Sequence, residues 1–370
     1  MNFEFTEEQE AVRDLAAQIF AGHATVERVK AVERTDERVD RELWKALAAA
    51  NLLGIALPED VGGSGFGVVE LCLLLEQQGR VVAPVPLWPT LVLGATPVAR
   101  FGSPQQRERW LPGVVNGETV LTAALAEPGA SDPTAPSVTA RRDGTTWRLD
   151  GVKPSVPAGH VADCVLVPAR VTEEAGTLGI FLLEPGAAGV ARERAITTNR
   201  EVVAHLELSG APAELLTTGG SSVAWLLDHA LVGLCATQVG VAEAALRLAA
   251  DYASNRQQFG KPLSTFQGVA LKAADAYIDT EAMRVTMWQA AWKLSEGREA
   301  TDDVLVAKWW ASEGGQRVVH TTQHLHGGLG ADVDYPIHRY FLWGKQIEDT
   351  LGGASATLAR LGAVLAGAPR

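Results

Sequence analysis

Cysteine, basic charge and long apolar runs are the scarce features of this sequence, and each shortage closes off a class of protein. The three cysteines, Cys72, Cys164 and Cys235, are odd in number, far apart and without metal-type spacing. That argues against a disulfide framework and a thiolate metal site, and leaves small core residues of a reduced, cytoplasmic compartment as the expectation. Lys and Arg number 32 against 44 Asp and Glu, a formal charge of -12, which speaks against a nucleic-acid surface or a basic membrane face. No uninterrupted apolar run reaches the roughly 18 residues of a membrane span. The start, Met1-Asn2-Phe3-Glu4-Phe5, lacks the basic-then-apolar order of a signal peptide. His324 and His326 would stand about 200° apart on a helix, so no metal site is expected there. No internal repeat or low-complexity linker interrupts the chain.

What is present suits a large core or two to three domains, with 47% hydrophobic and 21% charged residues. Thr6-Glu7-Glu8-Gln9 reads as a capping box, followed by Val12, Leu15 and Ile19 at helical spacing. Helical patterns continue at Leu43 to Leu53, Val68 to Arg80, Thr90 to Phe101 and Gln105 to Val115, with a Pro- and Gly-rich loop at 57–65. The period then changes. Short apolar runs at 119–124, 147–149, 164–167, 178–183 and 202–208, separated by Gly, Asp and Pro, predict an all-β insert. Helical patterns return at Val232 to Tyr252, Phe266 to Leu294, Val304 to Leu325 and Ala356 to Leu365, as in a four-helix bundle. Trp288, Trp292, Trp309 and Trp310 fall within these patterns and are expected to pack. The expected architecture is α+β and multidomain: a helical domain over 1–118, a β-barrel over 119–220 and a helical bundle over 221–370.

One stretch carries chemistry. It opens with Arg256-Gln257-Gln258-Phe259-Gly260-Lys261-Pro262-Leu263, continues through Phe266-Gln267, and closes on Gln323-His324-Leu325-His326-Gly327-Gly328-Leu329-Gly330. An Arg before Phe-Gly is usually a helix-end residue and a Gly-Gly pair usually a turn. Together, a guanidinium fork and a backbone without Cβ suit the oxygens of a pyrophosphate.

In this order and separation the stretch resembles the C-terminal domain of acyl-CoA dehydrogenases. Leu57-Pro58-Glu59-Asp60-Val61-Gly62-Gly63-Ser64-Gly65 is similar to that family's "P-E-x-x-G-G-x-G" loop. Ala126-Glu127-Pro128-Gly129-Ala130-Ser131-Asp132 and Leu149-Asp150-Gly151-Val152-Lys153 resemble its "T-E-P-x-x-G-S-D" and "L-N-G-x-K" segments. The resemblance implies the family fold (helices, β-barrel, four-helix bundle) and α,β-desaturation of an acyl-CoA thioester with FAD. It implies that Arg256, Gln258, Phe259, Gln267, Gln323, Gly327 and Gly328 hold the ADP half of an FAD bound mainly to a neighbouring subunit.

The family's base is a Glu at one of two places, within "Y-E-G-T-S-x-x-x-R" before the last helix or in the preceding bundle. Anchored on Arg360, the first place falls at Gly353; the second falls at Ala230. Neither is a carboxylate. Glu348, Asp349 and Asp228 are the nearest substitutes, with solvated loop charge as the plainer expectation. The family's "x-W-I-T-N" after the Lys, which contacts the flavin ring, is here Pro154-Ser155-Val156-Pro157-Ala158, and Ala126 replaces the Thr of "T-E-P". The chain thus keeps what would serve a neighbour's FAD and lacks what would serve its own.

This pattern is similar to the non-catalytic subunit of α2β2 actinobacterial dehydrogenases acting on steroid side-chain CoA thioesters. The partners it implies are a homologous catalytic subunit, an acyl-CoA and an electron-transfer flavoprotein or similar acceptor. A self-sufficient homotetramer with an atypical base and a flavin-free scaffold subunit are the alternatives.

Overall fold

The computed structural model describes residues 4–129 and 132–367; Ala130 and Ser131, within one of the segments above, lie outside the described residues. Helices α1 (Glu7–His23), α2 (Val26–Val32), α3 (Arg41–Ala49), α4 (Val68–Val81), α5 (Thr96–Phe101) and α6 (Pro104–Val115) come first. Strands β1 (Leu121–Ala123), β2 (Thr139–Asp143), β3 (Thr146–Pro157), β4 (Cys164–Val171), β5 (Leu178–Leu183), β6 (Val190–Ile196) and β7 (Val202–Thr218) follow. Then come α7 (Gly220–Asn255), a two-strand hairpin of β8 (Gln257–Gln258) and β9 (Lys261–Pro262), and α8 (Gln267–Ser295), α9 (Thr301–Leu325), α10 (Ile337–Asp349) and α11 (Ala354–Leu365). The expected order of helices, sheet and helices is borne out. The capping box is present: the Thr6 hydroxyl accepts from Gln9 N–H, and the Gln9 side chain accepts from Thr6 N–H.

The chain packs as two compact units, one of the described residues up to Val29, Cys72–Ala83 and those from Leu231 onward, the other of Lys30–Leu71 and Pro84–Ala230. In the second, β4, β2, β3, β7 and β5 pair in that order and β5 pairs back onto β4, closing a barrel. Closure leaves no open sheet edge along that ring. Leu149, Val165, Val167, Phe181, Leu183, Ala204 and Leu206 fill the core. Strands β2 and β6 were not expected, because Thr139–Asp143 is mostly exposed and β6 is exposed beyond the half-buried Val190. Without a buried alternate face there is no period-2 signal to read.

In the helical unit α7 is a core helix. It is long and apolar enough to cross a membrane, with a mean hydropathy of 1.4, yet 72% of that window is buried. Gly79 on α4 and Gly240 on α7 permit a close crossing: a Cβ at either would lie 2.1 and 2.0 Å from the carbonyl oxygens of Thr237 and Glu76. Nearby, Arg284 on α8 meets Glu76 at 2.7 Å and Glu243 at 2.5 Å. Helix α10 was missing from the expected bundle. It sits under Lys308, which is fully buried on α9 and donates to the carbonyls of Ile347 (2.8 Å) and Glu348 (3.0 Å) and to Ser312 Oγ (3.1 Å). Those bonds satisfy carbonyls at the α10 C-terminus. All three cysteines are unpaired and buried, as expected.

Candidate functional site

The residues expected at the cofactor lie at one end of the helical unit. Arg256 continues the last turn of α7, its N–H donating to the Tyr252 carbonyl at 2.8 Å, and its own carbonyl accepts from Leu263 N–H at 2.8 Å. The β8–β9 hairpin between them pairs Gln258 with Lys261. Its turn residues Phe259 and Gly260 have φ of 54° and 76°, the sign that a two-residue hairpin turn requires at both positions. For a Phe that conformation costs about 1–2 kcal/mol. Phe259 is also 91% exposed. An aromatic ring strained and thrust into solvent is a feature that a partner surface would explain. Arg256, Gln258 and Gln267 are exposed as well, and among the described residues the Arg256 guanidinium has no hydrogen-bond or ion-pair partner.

The Gly-Gly turn reaches the same end through an aromatic contact. His326, 2% exposed, stacks on Tyr252 with ring centroids 4.7 Å apart and planes 25° from parallel. Tyr252 lies one turn before Arg256, and His326 directly precedes Gly327, so the two halves of the sequence motif are neighbours in space. Gly327 (φ 59°) and Gly328 are exposed, and no heavy atom lies within 4 Å of a Cβ placed on either. The turn is therefore open to a ligand's close approach. An exposed guanidinium without a partner, an open glycine turn and an exposed aromatic ring fit the ADP portion of FAD.

Gln323 differs from its neighbours. Its Oε1 is buried without a partner, and its Cγ lies 3.0 Å from where a Cβ of Gly330 would be, so the side chain turns inward. His324, the next residue, is the exposed one on that turn. Neither the Tyr252–His326 stack nor the outward His324 was read from the sequence; an aromatic four residues before Arg256 was the available signal.

Neither of the two places where the resemblance implies a base, Ala230 and Gly353, carries a carboxylate. Ala230 is fully buried and its carbonyl accepts from Trp88 Nε1 at 2.9 Å. Beside it, His229 stacks on Trp225 at 3.7 Å, its Nδ1 bonded to the Trp225 carbonyl at 2.8 Å. Burial pushes this imidazole down to about 4, so it stays neutral at physiological pH. Asp228, one residue back, is half-buried.

In the other place Gly353 is the N-cap of α11, preceded by Leu351 (φ 60°) and Gly352 (φ 106°). Glu348, in the last turn of α10, pairs with Lys345 at 2.5 Å, held back along its own helix. Asp349 is exposed, and its Oδ1 is 3.5 Å from the position of a Cβ on Gly353.

The segment after Lys153, where the resemblance led us to look for ring contacts, has an irregular backbone. The β3–β7 register shifts between Lys153 and Val156. Ser155 (φ 51°) and Ala158 (φ 52°) are left-handed there, Ser155 is exposed, and the Pro157 carbonyl accepts from Thr122 Oγ1 at 2.7 Å. Just before the shift, Lys153 pairs with Glu127, both side chains 1% exposed, and Glu127 also accepts from Ser137 Oγ. Burial pulls the Lys153 ammonium below its usual range while Glu127 opposes the change. The two β-domain segments noted in the sequence thus meet in a buried ion pair.

The chain matches known proteins over most of its length. Residues 6–118 match the model for the acyl-CoA dehydrogenase N-terminal domain, and 217–363 that for the C-terminal domain. The chain is 41% identical to "Acyl-CoA dehydrogenase FadE27" of Mycobacterium tuberculosis, over 100% of both sequences. Among solved structures it is 52% identical to a chain of the "Tcur3481-Tcur3483 steroid ACAD G363A variant", with TM-score 0.93 and 98% of each chain covered. To a chain of the ChsE4–ChsE5 complex from Mycobacterium tuberculosis it is 40% identical, with TM-score 0.94 and 100% of each covered.

Proposed function

The chain belongs to the acyl-CoA dehydrogenase family, and we propose that it is the cofactor-lending subunit of a heteromeric member. In this reading Arg256, Gln258, Phe259, Gln267, Gly327 and Gly328 hold the ADP half of an FAD whose ring lies against a homologous subunit. That subunit supplies the catalytic Glu. Bound FAD would accept the hydride from the acyl thioester. This chain's part is to bind: Arg256 offers donors to phosphate, the Gly327-Gly328 backbone approaches it, and the Phe259 ring covers apolar surface of the cofactor or partner.

The observation that carries the proposal is the contrast between Phe259, strained and 91% exposed, and the ring segment, where Ser155 stands exposed in a bulge. The helical faces support a partner as well. Leu271, Ile278 and Val285 recur every seven residues along α8, each more than half exposed, a seam that suits another helix. Names of related proteins suggest a steroid acyl-CoA as substrate class and a second, homologous chain as partner.

The missing base is read most economically at Leu351. In "Y-E-G-T-S" the Gly follows the Glu and the Thr-Ser opens the helix. Gly352, whose φ of 106° demands glycine, and the N-cap Gly353 match that order. Anchoring on Arg360 alone instead places the Glu at the N-cap itself. A second reading, a self-sufficient enzyme, is favoured by Asp349 standing 3.5 Å from the Cβ position of Gly353.

The flavin-to-chain ratio separates the two readings. The subunit reading expects the chain purified alone to be colourless or weakly flavinated, and its complex with the homologous subunit to carry two FAD per four chains. A stoichiometric flavin spectrum and acyl-CoA-dependent dye reduction by the homomer would favour Asp349 and sink the subunit reading.

A further inference from the structure

The Arg256 hairpin and the Gly327-Gly328 turn are far apart in sequence, and no backbone hydrogen bond joins them among the described residues. What spans the gap is the His326 ring. It stacks on Tyr252, and Tyr335 tilts against it with centroids 5.2 Å apart. Its Nδ1 lies 2.7 Å from the Thr322 carbonyl. A carbonyl only accepts, so Nδ1 carries the hydrogen and the ring cannot turn over without losing that bond.

We propose that His326 is the positioning residue of this edge, fixing the Arg256 hairpin and the glycine turn as one preformed anion-binding surface. The inference rests on the reading of that edge as the cofactor contact. Each flanking element is held from within, the hairpin by the Arg256–Leu263 backbone bond and the edge contact of Phe259 on Phe266, the glycine turn by the packing of Gly330 on Gln323, but none of these contacts joins one element to the other. A ring held on Tyr252 and Tyr335 and tethered to Thr322 restricts both at once. Preorganisation of this kind raises affinity by removing the ordering cost at binding.

The test is a double-mutant cycle on FAD affinity in the assembled complex, with the thermal midpoint measured on the same samples. His326→Ala should weaken FAD binding about three- to tenfold, the range of one aromatic pair. His326→Phe, which keeps the ring without the Nδ1–H, should stay within about twofold of wild type. In an Arg256→Ala background, His326→Ala should cost markedly less than in the wild type, because the group it positions is gone. A lowered midpoint with unchanged FAD affinity, failure of Phe to rescue, or strictly additive losses would each overturn the inference. If Arg256→Ala itself leaves FAD affinity unchanged, the reading of the edge fails, and the positioning role fails with it. If Arg256→Ala weakens binding and His326→Ala does not, only the positioning role fails.

Discussion

The two regions that the proposal assigns to a flavin differ in what folding leaves open. At the ends of α7 and α9, groups are left open: among the described residues the Arg256 guanidinium has no hydrogen-bond or ion-pair partner, the Phe259 ring is 91% exposed with an edge contact to Phe266, and nothing lies within 4 Å of a Cβ placed on Gly327 or Gly328. At the end of β3, Ser155 and Pro157 stand where the proposal looks for ring contacts, and, taken separately, Gly353 in the α10–α11 loop stands where it looks for a base. A stable fold gains nothing from keeping a strained, solvent-facing Phe, so the first region is explained by something outside the chain. The β3 segment has partners inside the barrel: Thr122 Oγ1 donates to the Pro157 carbonyl, and Glu127 pairs with Lys153. On the proposed reading, one set of groups kept beside another absent marks a subunit that depends on a partner rather than a decayed enzyme.

The sharpest way to break this comparison is Arg256→Ala. Removing a charge-assisted hydrogen bond worth about 1.5–3 kcal/mol should cost tenfold to a hundredfold in FAD retention by the complex. Arg256→Lys should recover only part, since a point charge does not reproduce the fork. Equilibrium dialysis against FAD reads this directly, and unchanged retention would return Arg256 to an ordinary helix-end residue.

Gly328→Val should act next, with a several-fold loss of FAD. A side chain at Gly328 meets no atom within 4 Å in the chain itself, so the thermal midpoint should not fall. A drop in midpoint equal to that of a core substitution would mean that the turn is structural.

Lys308 sharpens the other side of the comparison, because its bonds to Ile347 and Glu348 anchor the root of the α10–α11 loop. Burial pushes this ammonium down to about 8 from 10.5. Cys235, Asp349 and Glu348 face it, each opposing that shift, and Cys235 is itself pushed up to about 12. The unfolded chain then binds the extra proton between those two values, so this group makes stability rise with pH from about 8 to 10.5. The thermal midpoint should climb by a few degrees over that window, after allowance for the other titrating groups, and Lys308→Met should flatten the rise. A midpoint whose rise survives in Lys308→Met would refute the assignment.

The smallest expected effect is none. Gly353→Glu and Leu351→Glu each restore a carboxylate, yet neither should give the chain alone acyl-CoA-dependent dye reduction, because a base works only on a substrate already held against the flavin ring. At 353 the new group would also meet Asp349, whose like charge would raise its pKa. Activity in either homomer above background would show that the base alone was missing.

Several of these features were open to reading from residues alone. The helix, sheet, helix order follows from period, because one buried face imposes 3.6 or 2.0 on the pattern. The capping box at Thr6, the buried cysteines and the missing carboxylates at 230 and 353 are local facts that no packing alters. Where burial is lopsided the pattern fades: β6, exposed beyond Val190, and β2, mostly exposed, gave no alternation; α10, by contrast, does bury Ile337, Tyr340, Trp343 and Ile347 at helical spacing, a stripe interrupted by the buried polar His338 and Arg339 and overlooked in the sequence.

Tertiary structure alone decided the rest. Gln323 and His324 are adjacent in sequence, and only the packing of Gly330 against Gln323 determines which of them turns inward. Glu127 with Lys153, and Tyr252 with His326, are pairs made by a closed barrel and by two helix ends meeting. The sequence by itself determined which chemical groups this protein owns and which it has lost, since composition and spacing are written residue by residue. Which groups stand free to bind depends on the partners each finds after folding, and contacts between residues distant in the chain are set by packing and desolvation.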